Sequence, residues 1–226
     1  MILKNILKDM FAVFGLEIRR LRFRPSVDLY AATRFMLLND MISRLEGVQG
    51  SFVECGVAYG RSTSYMLMIN HYYRLNRNIL GFDSFDGYPV VSGEDLKSRN
   101  GSSIRAGDLK VDLAETLRFI GEVGLPSAWV DTHLSLVKGD IRQTAFNTET
   151  GNIALLTLEL DLFEGTKSAL EAFLPRMAKG GIILFLNSMD DDANFSGARE
   201  AVNVVLKERA SDLMRHKYSG KYYLVV

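Results

Sequence analysis

The residues best suited to chemistry fall in four short stretches. In the first, Glu54-Cys55-Gly56-Val57-Ala58-Tyr59-Gly60-Arg61-Ser62-Thr63, an acid is followed by two glycines and small hydroxyls. Glycines in a strand-to-helix turn let backbone approach a ligand, and free amides at the start of the next helix attract a carboxylate or phosphate. An ordinary tight turn uses the same glycines. The second stretch, Gly81-Phe82-Asp83-Ser84-Phe85, sets Asp83 23 positions after Gly60. An acid about 20 residues past a glycine turn is the spacing that binds ribose hydroxyls in nucleotide-type folds. The turn lacks the G-x-G-x-x-G pattern and a P-loop lysine, which speaks against a dinucleotide or ATP. Lys138-Gly139-Asp140 and Glu159-Leu160-Asp161 with Glu164 supply the remaining carboxylates.

Each of these stretches follows a short apolar run. SFVEC (51–55), NILGF (78–82), LSLVKG (134–139), IALLTLEL (153–160) and GIILFL (181–186) read as strands without polar alternation. Helical periodicity separates them, over 63–75, 112–123, 166–177 and 197–208, with Asp112 and Glu115 at capping-box spacing. Another helix is expected from Ser26 to Leu45, and a closing hairpin around Ser219-Gly220. Strands buried on both faces and alternating with helices predict a Rossmann-like α/β fold, a mostly parallel sheet covered by helices on each side. Ligands of such sheets bind at the carboxyl ends of the strands, where all four acidic stretches lie. The polar stretch from Tyr88 to Lys110 has no clear period and reads as a long loop.

Composition narrows the remaining options. The 226 residues hold 47% hydrophobic and 24% charged residues, an ordinary globular balance. Twenty-seven basic residues offset 27 acidic ones, so no global charge favours nucleic acid. A single cysteine permits no disulfide within the chain and fits a reducing, cytoplasmic setting. No apolar run reaches the roughly 18 residues of a membrane span. The first stretch carries Leu3, Ile6, Leu7, Met10, Phe11 and Phe14 at helical spacing, followed by arginines 19, 20, 22 and 24. Its apolar stripe needs a partner, and within it only Lys4 and Lys8, offset in part by Asp9, could attract lipid, the arginines lying beyond its end, so a second copy of the chain, a homodimer, is expected over membrane attachment. Residues 1–46 read as a helical extension and 47–226 as the main domain.

In order, FVECGVAYGRS, GFDSFDGYP, LVKGD, LLTLELDLFEGTKSALEAFLPRMAKGGIILF and GAREAV resemble the macrocin O-methyltransferase family. Its members are S-adenosylmethionine-dependent enzymes of the class I methyltransferase fold, with a seven-stranded sheet, that act on sugar hydroxyls. The resemblance runs from about Ser51 to Val202. It implies that the Glu54–Gly60 turn, with Glu54, Gly56, Val57 and Gly60, holds the methionine end of the cofactor, that Asp83 meets the ribose, that Asp140 and Ile141 lie beside the adenine, and that Ser62 and Ser84 also belong to the cofactor site. The acceptor would be a sugar or glycosylated metabolite. The family's metal-binding acids, an Asp-x-Asp and an Asp-Asp, correspond here to Glu159-Leu160-Asp161 and Leu186-Asn187. Leu cannot ligate magnesium, so no metal is expected at that site. Asp190, Asp191 and Asp192 are either replacement ligands or a solvated acidic loop.

A hydroxyl acceptor must lose a proton, and Asp161 or Glu159 is the expected base, although either could hold the cofactor's ammonium or cap the helix near Thr166. Cys55, with no histidine close in sequence, reads as a small buried residue. His71, His133 and His216 are scattered, and Trp129, Tyr72-Tyr73 and Tyr222-Tyr223 read as packing. Two other activities fit the same residues: cofactor binding without turnover, and metal-independent methylation of nitrogen or another acceptor.

Overall fold

The computed structural model describes residues 28–97, 104–187 and 196–226. The N-terminal stripe from Leu3 to Phe14 and the acids Asp190 to Asp192 lie outside them. Seven strands form one sheet in the order β3-β2-β1-β4-β5-β7-β6: β1 (Ser51–Cys55), β2 (Ile79–Asp83), β3 (Leu134–Lys138), β4 (Ile153–Leu158), β5 (Met177–Phe185), β6 (Met214–Arg215) and β7 (Tyr222–Val225). β1 to β5 run parallel, whereas β7 pairs antiparallel with β5 and with β6, the closing hairpin. The α/β class and the five sequence-predicted parallel strands are thus as expected.

The helices are α1 (Leu29–Ser43), α2 (Arg61–Tyr72), α3 (Leu113–Gly121), α4 (Ser127–His133), α5 (Ile141–Asn147), α6 (Phe163–Phe173) and α7 (Ser196–Leu206). Two differ from expectation in kind. The short helices α4 and α5 span only seven residues each, too few for a period to register in sequence. The stretch 166–177 also ends sooner as a helix. Pro175 lies in a 3-10 turn after α6, and β5 begins at Met177, so Lys179-Gly180-Gly181 lies within the strand rather than stopping a helix.

Two apolar layers sandwich the sheet. On one side Leu37, Leu38, Met41 and Ile42 of α1 pack with Met66, Leu67 and Ile69 of α2 and with Phe52, Leu155 and Ile182. On the other, Ala169, Leu170 and Phe173 of α6 and Val202 and Leu206 of α7 pack with Val53, Leu156 and Ile183. Thr33–Val226 forms one compact unit, so α1 from Thr33 onward belongs with the sheet. Every residue of β1 and β4 is buried. A fully buried large aliphatic or aromatic side chain contributes about 1.5–3 kcal/mol, which makes these central strands the anchor of the fold. Among the described residues no helix is long and apolar enough to cross a membrane.

The strand order reverses between β1 and β4, since β1 continues outward to β2 and β4 to β5. That reversal opens the crevice in which α/β sheets bind ligands. Gly56 sits at its mouth with φ +91°, its amide donating to the Phe82 carbonyl at 2.9 Å. A Cβ there would lie 2.3 Å from the Glu159 carbonyl oxygen. Gly56→Ala is therefore expected to lose about 3 kcal/mol from combined backbone strain and overpacking. Urea denaturation would show this, and an unchanged midpoint would contradict the seam described here.

Candidate functional site

The carboxyl ends of β1 and β4 bring Glu54, Glu159 and Asp161 into one acidic group. Glu54, in β1, is 1% exposed. One of its oxygens accepts from the Thr63 hydroxyl, while Oε1 has no hydrogen-bond partner. Burial, together with the nearby Glu159 carboxylate, pushes its carboxyl up to about 8 against the help of Thr63.

Glu159 follows β4 and is 31% exposed. Both its oxygens are taken by the fork of Arg34, Nη1 to Oε2 and Nη2 to Oε1, each at 2.8 Å. Arg34 is 5% exposed and also donates from Nη1 to Ser62 Oγ at 3.0 Å. Sequence reasoning missed this arginine, although a signal was present. Positions 34, 37, 38, 41, 42 and 45 form the buried stripe of the α1 segment, and a charge on such a stripe requires a partner.

Asp161 sits at φ +57° and its carbonyl accepts from the Ala198 amide of α7 at 3.2 Å. Its Oδ2 accepts from the Tyr88 hydroxyl at 2.7 Å, and its Oδ1 from the Asn187 side-chain amide. Burial first, and then the Glu159 charge, raise its carboxyl to about 6 despite these two donors. Burial and the Asp161 charge likewise push the Tyr88 phenol up, so it stays a proton donor to Asp161. Tyr88 begins the long loop, whose described parts are fastened to the domain. Gly107 donates to the Tyr88 carbonyl at 2.9 Å. Asp95, 1% exposed, caps α6 by accepting from the Phe163 amide at 2.8 Å, and Ser196 donates to the Glu94 carbonyl at 3.0 Å.

The turn after β1 borders the same crevice. Gly60 takes a left-handed conformation at the start of α2, with no side chain capping that helix. Val57 is buried, and Thr116 of α3 ties the turn down by donating to the Ala58 carbonyl at 2.6 Å. Asp83 accepts from the Ala58 and Phe85 amides at 2.8 Å each, one per oxygen, which leaves a further lone pair on each. The Ser84 hydroxyl donates to the Gly87 carbonyl at 2.6 Å. Ser62 is buried against Arg34. Asp140 caps α5 through the Arg142 amide. Burial pushes its carboxyl up, but the hydrogen bonds from Arg142 outweigh this and hold it below the usual range. Ile141 is buried directly after it.

The cysteine, histidines and tryptophan also have defined places. Cys55 is wholly buried, which pushes its thiol well up. Trp129 stacks on His133 with centroids 4.1 Å apart and meets His71 edge-on. His216 is taken by Ser219 and Asp40. Among the described residues no group of three or more His, Cys, Asp or Glu is arranged to hold a metal ion.

A mostly parallel sheet reversed at β1/β4 with β7 antiparallel beside β5, a glycine turn leading into α2 and an acid at the end of β2 match a class I methyltransferase fold. Residues 28–214 match the Macrocin-O-methyltransferase (TylF) family, and the chain belongs to it. It is 28% identical over 180 residues to the 8-demethyl-8-(2,3-dimethoxy-alpha-L-rhamnosyl)-tetracenomycin-C 4'-O-methyltransferase of Streptomyces olivaceus. That match covers 78% of this chain and only 60% of the relative's length. The crystal structure of CalS11, a calicheamicin methyltransferase, superposes with TM-score 0.75 at 28% identity, covering 88% of this chain and 80% of CalS11. The O-methyltransferase NovP shares the fold, with TM-score 0.71 at 22% identity over 85% of this chain and 79% of its own.

The buried acids make stability depend on pH. Folded Glu54 holds its proton up to about 8, against a usual value of 4.5, so its contribution is complete below that lower value and is lost as pH rises through about 8. Asp161 acts in the same sense and its share is lost through about 6. Urea unfolding of the ligand-free protein is expected to show stability falling between about pH 5 and 8, with Glu54→Gln flattening the upper part of that decline. A wild-type stability that rises across this window would refute the assignment.

Proposed function

We propose that the protein is an S-adenosylmethionine-dependent methyltransferase that O-methylates a hydroxyl of a sugar or glycosylated metabolite. The observation that carries this reading is the Asp161 carboxylate. It is half-buried at the strand-order reversal and held by two hydrogen-bond donors beside the glycine turn. Family membership supports the class of reaction, and the rhamnosyl 4'-O-methyltransferase among the relatives supports a sugar hydroxyl as acceptor.

The chain's residues fit the cofactor. Glu54 offers a buried oxygen without a partner, and the start of α2 is uncapped. In this reading Glu54, Gly56, Val57 and Gly60 hold the methionine end, with Ser62 acting through Arg34. Asp83, with Ser84 shaping its turn, receives the ribose hydroxyls on its free lone pairs. Asp140 and Ile141 border the adenine. S-adenosylmethionine supplies a methyl group activated by a positively charged sulfur.

The protein then has two tasks, alignment and proton removal. Alignment of reacting atoms is worth about 7–11 kcal/mol of barrier. A positioned base adds roughly a hundred- to ten-thousand-fold. Glu159 is committed to Arg34, so Asp161 accepts the acceptor hydroxyl's proton, with Asn187 fixing the orientation of its carboxylate. An acid raised to about 6 is ionised at neutral pH and more basic than an exposed aspartate. The division into a helical extension, 1–46, and a methyltransferase domain, 47–226, belongs to the same proposal, with α1 from Thr33 built into the domain's core.

Calorimetry is expected to show S-adenosylhomocysteine binding, weakened by about 1.5–3 kcal/mol in Asp83→Ala. A mass-spectrometric screen of nucleotide sugars and glycosides is expected to yield a product one methyl group heavier, lost in Asp161→Asn. Folded wild-type protein that binds no S-adenosylhomocysteine would refute the reading. We further propose a cytoplasmic homodimer formed through the Leu3–Phe14 stripe. Removing residues 1–16 is expected to give monomer or aggregate in light scattering, and an unchanged dimer would refute that arrangement.

A further inference from the structure

At the positions where the family's pattern has magnesium-binding acids, this chain presents a different set of atoms. Leu186 is 1% exposed, offers no side-chain ligand, and commits its amide to the Leu158 carbonyl at 2.9 Å. Asn187 turns its NH2 group, a donor, toward Asp161. Glu159 keeps a carboxylate, but both oxygens face the Arg34 fork. Magnesium requires near-octahedral hard oxygen and bare carboxylate, so the described residues at these positions do not fit the ion. A guanidinium matches a carboxylate in two parallel bonds, carries its charge at every physiological pH and needs no free ligand positions.

We propose that Arg34 takes the electrostatic place of the divalent cation in this chain. It neutralises Glu159, keeps metal ions out, and leaves Asp161 as the carboxylate that faces the acceptor. Three observations converge on this role. Arg34 is 5% exposed, so it is not a solvated surface pair. It reaches across 125 residues of sequence to Glu159, two positions from Asp161. Its bond to Ser62 joins the first turn of α2 to the end of β4, which places the cofactor turn and the acceptor acids in one fixed frame. Arg34 is thus a positioning residue, acting through Glu159 and Ser62. The role rests on the reading of this crevice as the acceptor site.

The test is metal binding, independent of any substrate. Mn2+ is titrated into the full-length protein and followed by electron paramagnetic resonance, with thermal melts recorded for each variant. Wild type and Asn187→Asp are expected to leave Mn2+ free. Combining Asn187→Asp with Arg34→Met or Arg34→Gln exposes three carboxylates, those at 159, 161 and 187, and is expected to bind Mn2+ at least tenfold more tightly. Arg34→Lys with Asn187→Asp keeps the charge and is expected to exclude the ion again, an effect that a merely structural arginine would not produce. The proposal is overturned if wild type binds Mn2+ in a manner abolished by Glu159→Gln, or if Asn187→Asp alone binds as tightly as the double variants. It is equally overturned if a folded double variant does not bind. The wild-type arm is decisive even where the Arg34 variants do not fold. A failed product screen would remove the proposed activity and leave these metal-binding outcomes standing.

Discussion

The structure depends on how closely the ends of β1 and β4 approach each other. At that seam the sheet reverses its order, and Gly56 passes so near the Glu159 backbone that no side chain fits between them. Hydrogen bonds from the Gly56 amide to Phe82 and from the Glu159 amide to Cys55 stitch β2, β1 and β4 together just below the crevice. Because the two central strands are buried throughout, the acids that leave their ends cannot spread into solvent. Proximity and dehydration, which raise the Glu54 and Asp161 carboxyls, follow from this one constraint.

Such a concentration of acid requires compensation, and the chain supplies it from three separate elements. Arg34 comes from the helix before β1, Tyr88 from the loop after β2, and Asn187 from the end of β5. Each donates to a half-buried carboxylate that would otherwise lack sufficient partners, which costs free energy as water is withdrawn from the charge. The site is therefore a property of the assembled sheet rather than of any one motif.

That distribution explains what could be read in advance. The strands were visible because both faces of each are apolar, and the acids at their ends because Glu54, Asp83, Asp140 and Asp161 each close an apolar run. The partners were not visible, because Tyr88 and Asn187 meet Asp161 from 73 and 26 residues away. Nothing local to a tyrosine at the start of a polar loop identifies its acceptor. Arg34 was legible in principle, as a charge on an apolar stripe, but its partner was not. Helices α4 and α5 escaped notice because seven residues make barely two turns. Asp95 is similar, since a cap on a helix 68 residues away leaves no signature near itself.

The sole cysteine lies in this seam. Cys55 ends β1, pairs with Phe82 on one side and Leu158 on the other, and has no exposed surface. A thiol so placed, with its ionisation suppressed by burial, is inert to alkylating reagents while the strands are paired. Its labelling rate therefore serves as a clock for separation of β1 from its neighbours, without any engineered probe. The same inertness leaves the folded surface free of reactive sulfur, so a cysteine introduced anywhere on it can carry a spectroscopic label alone.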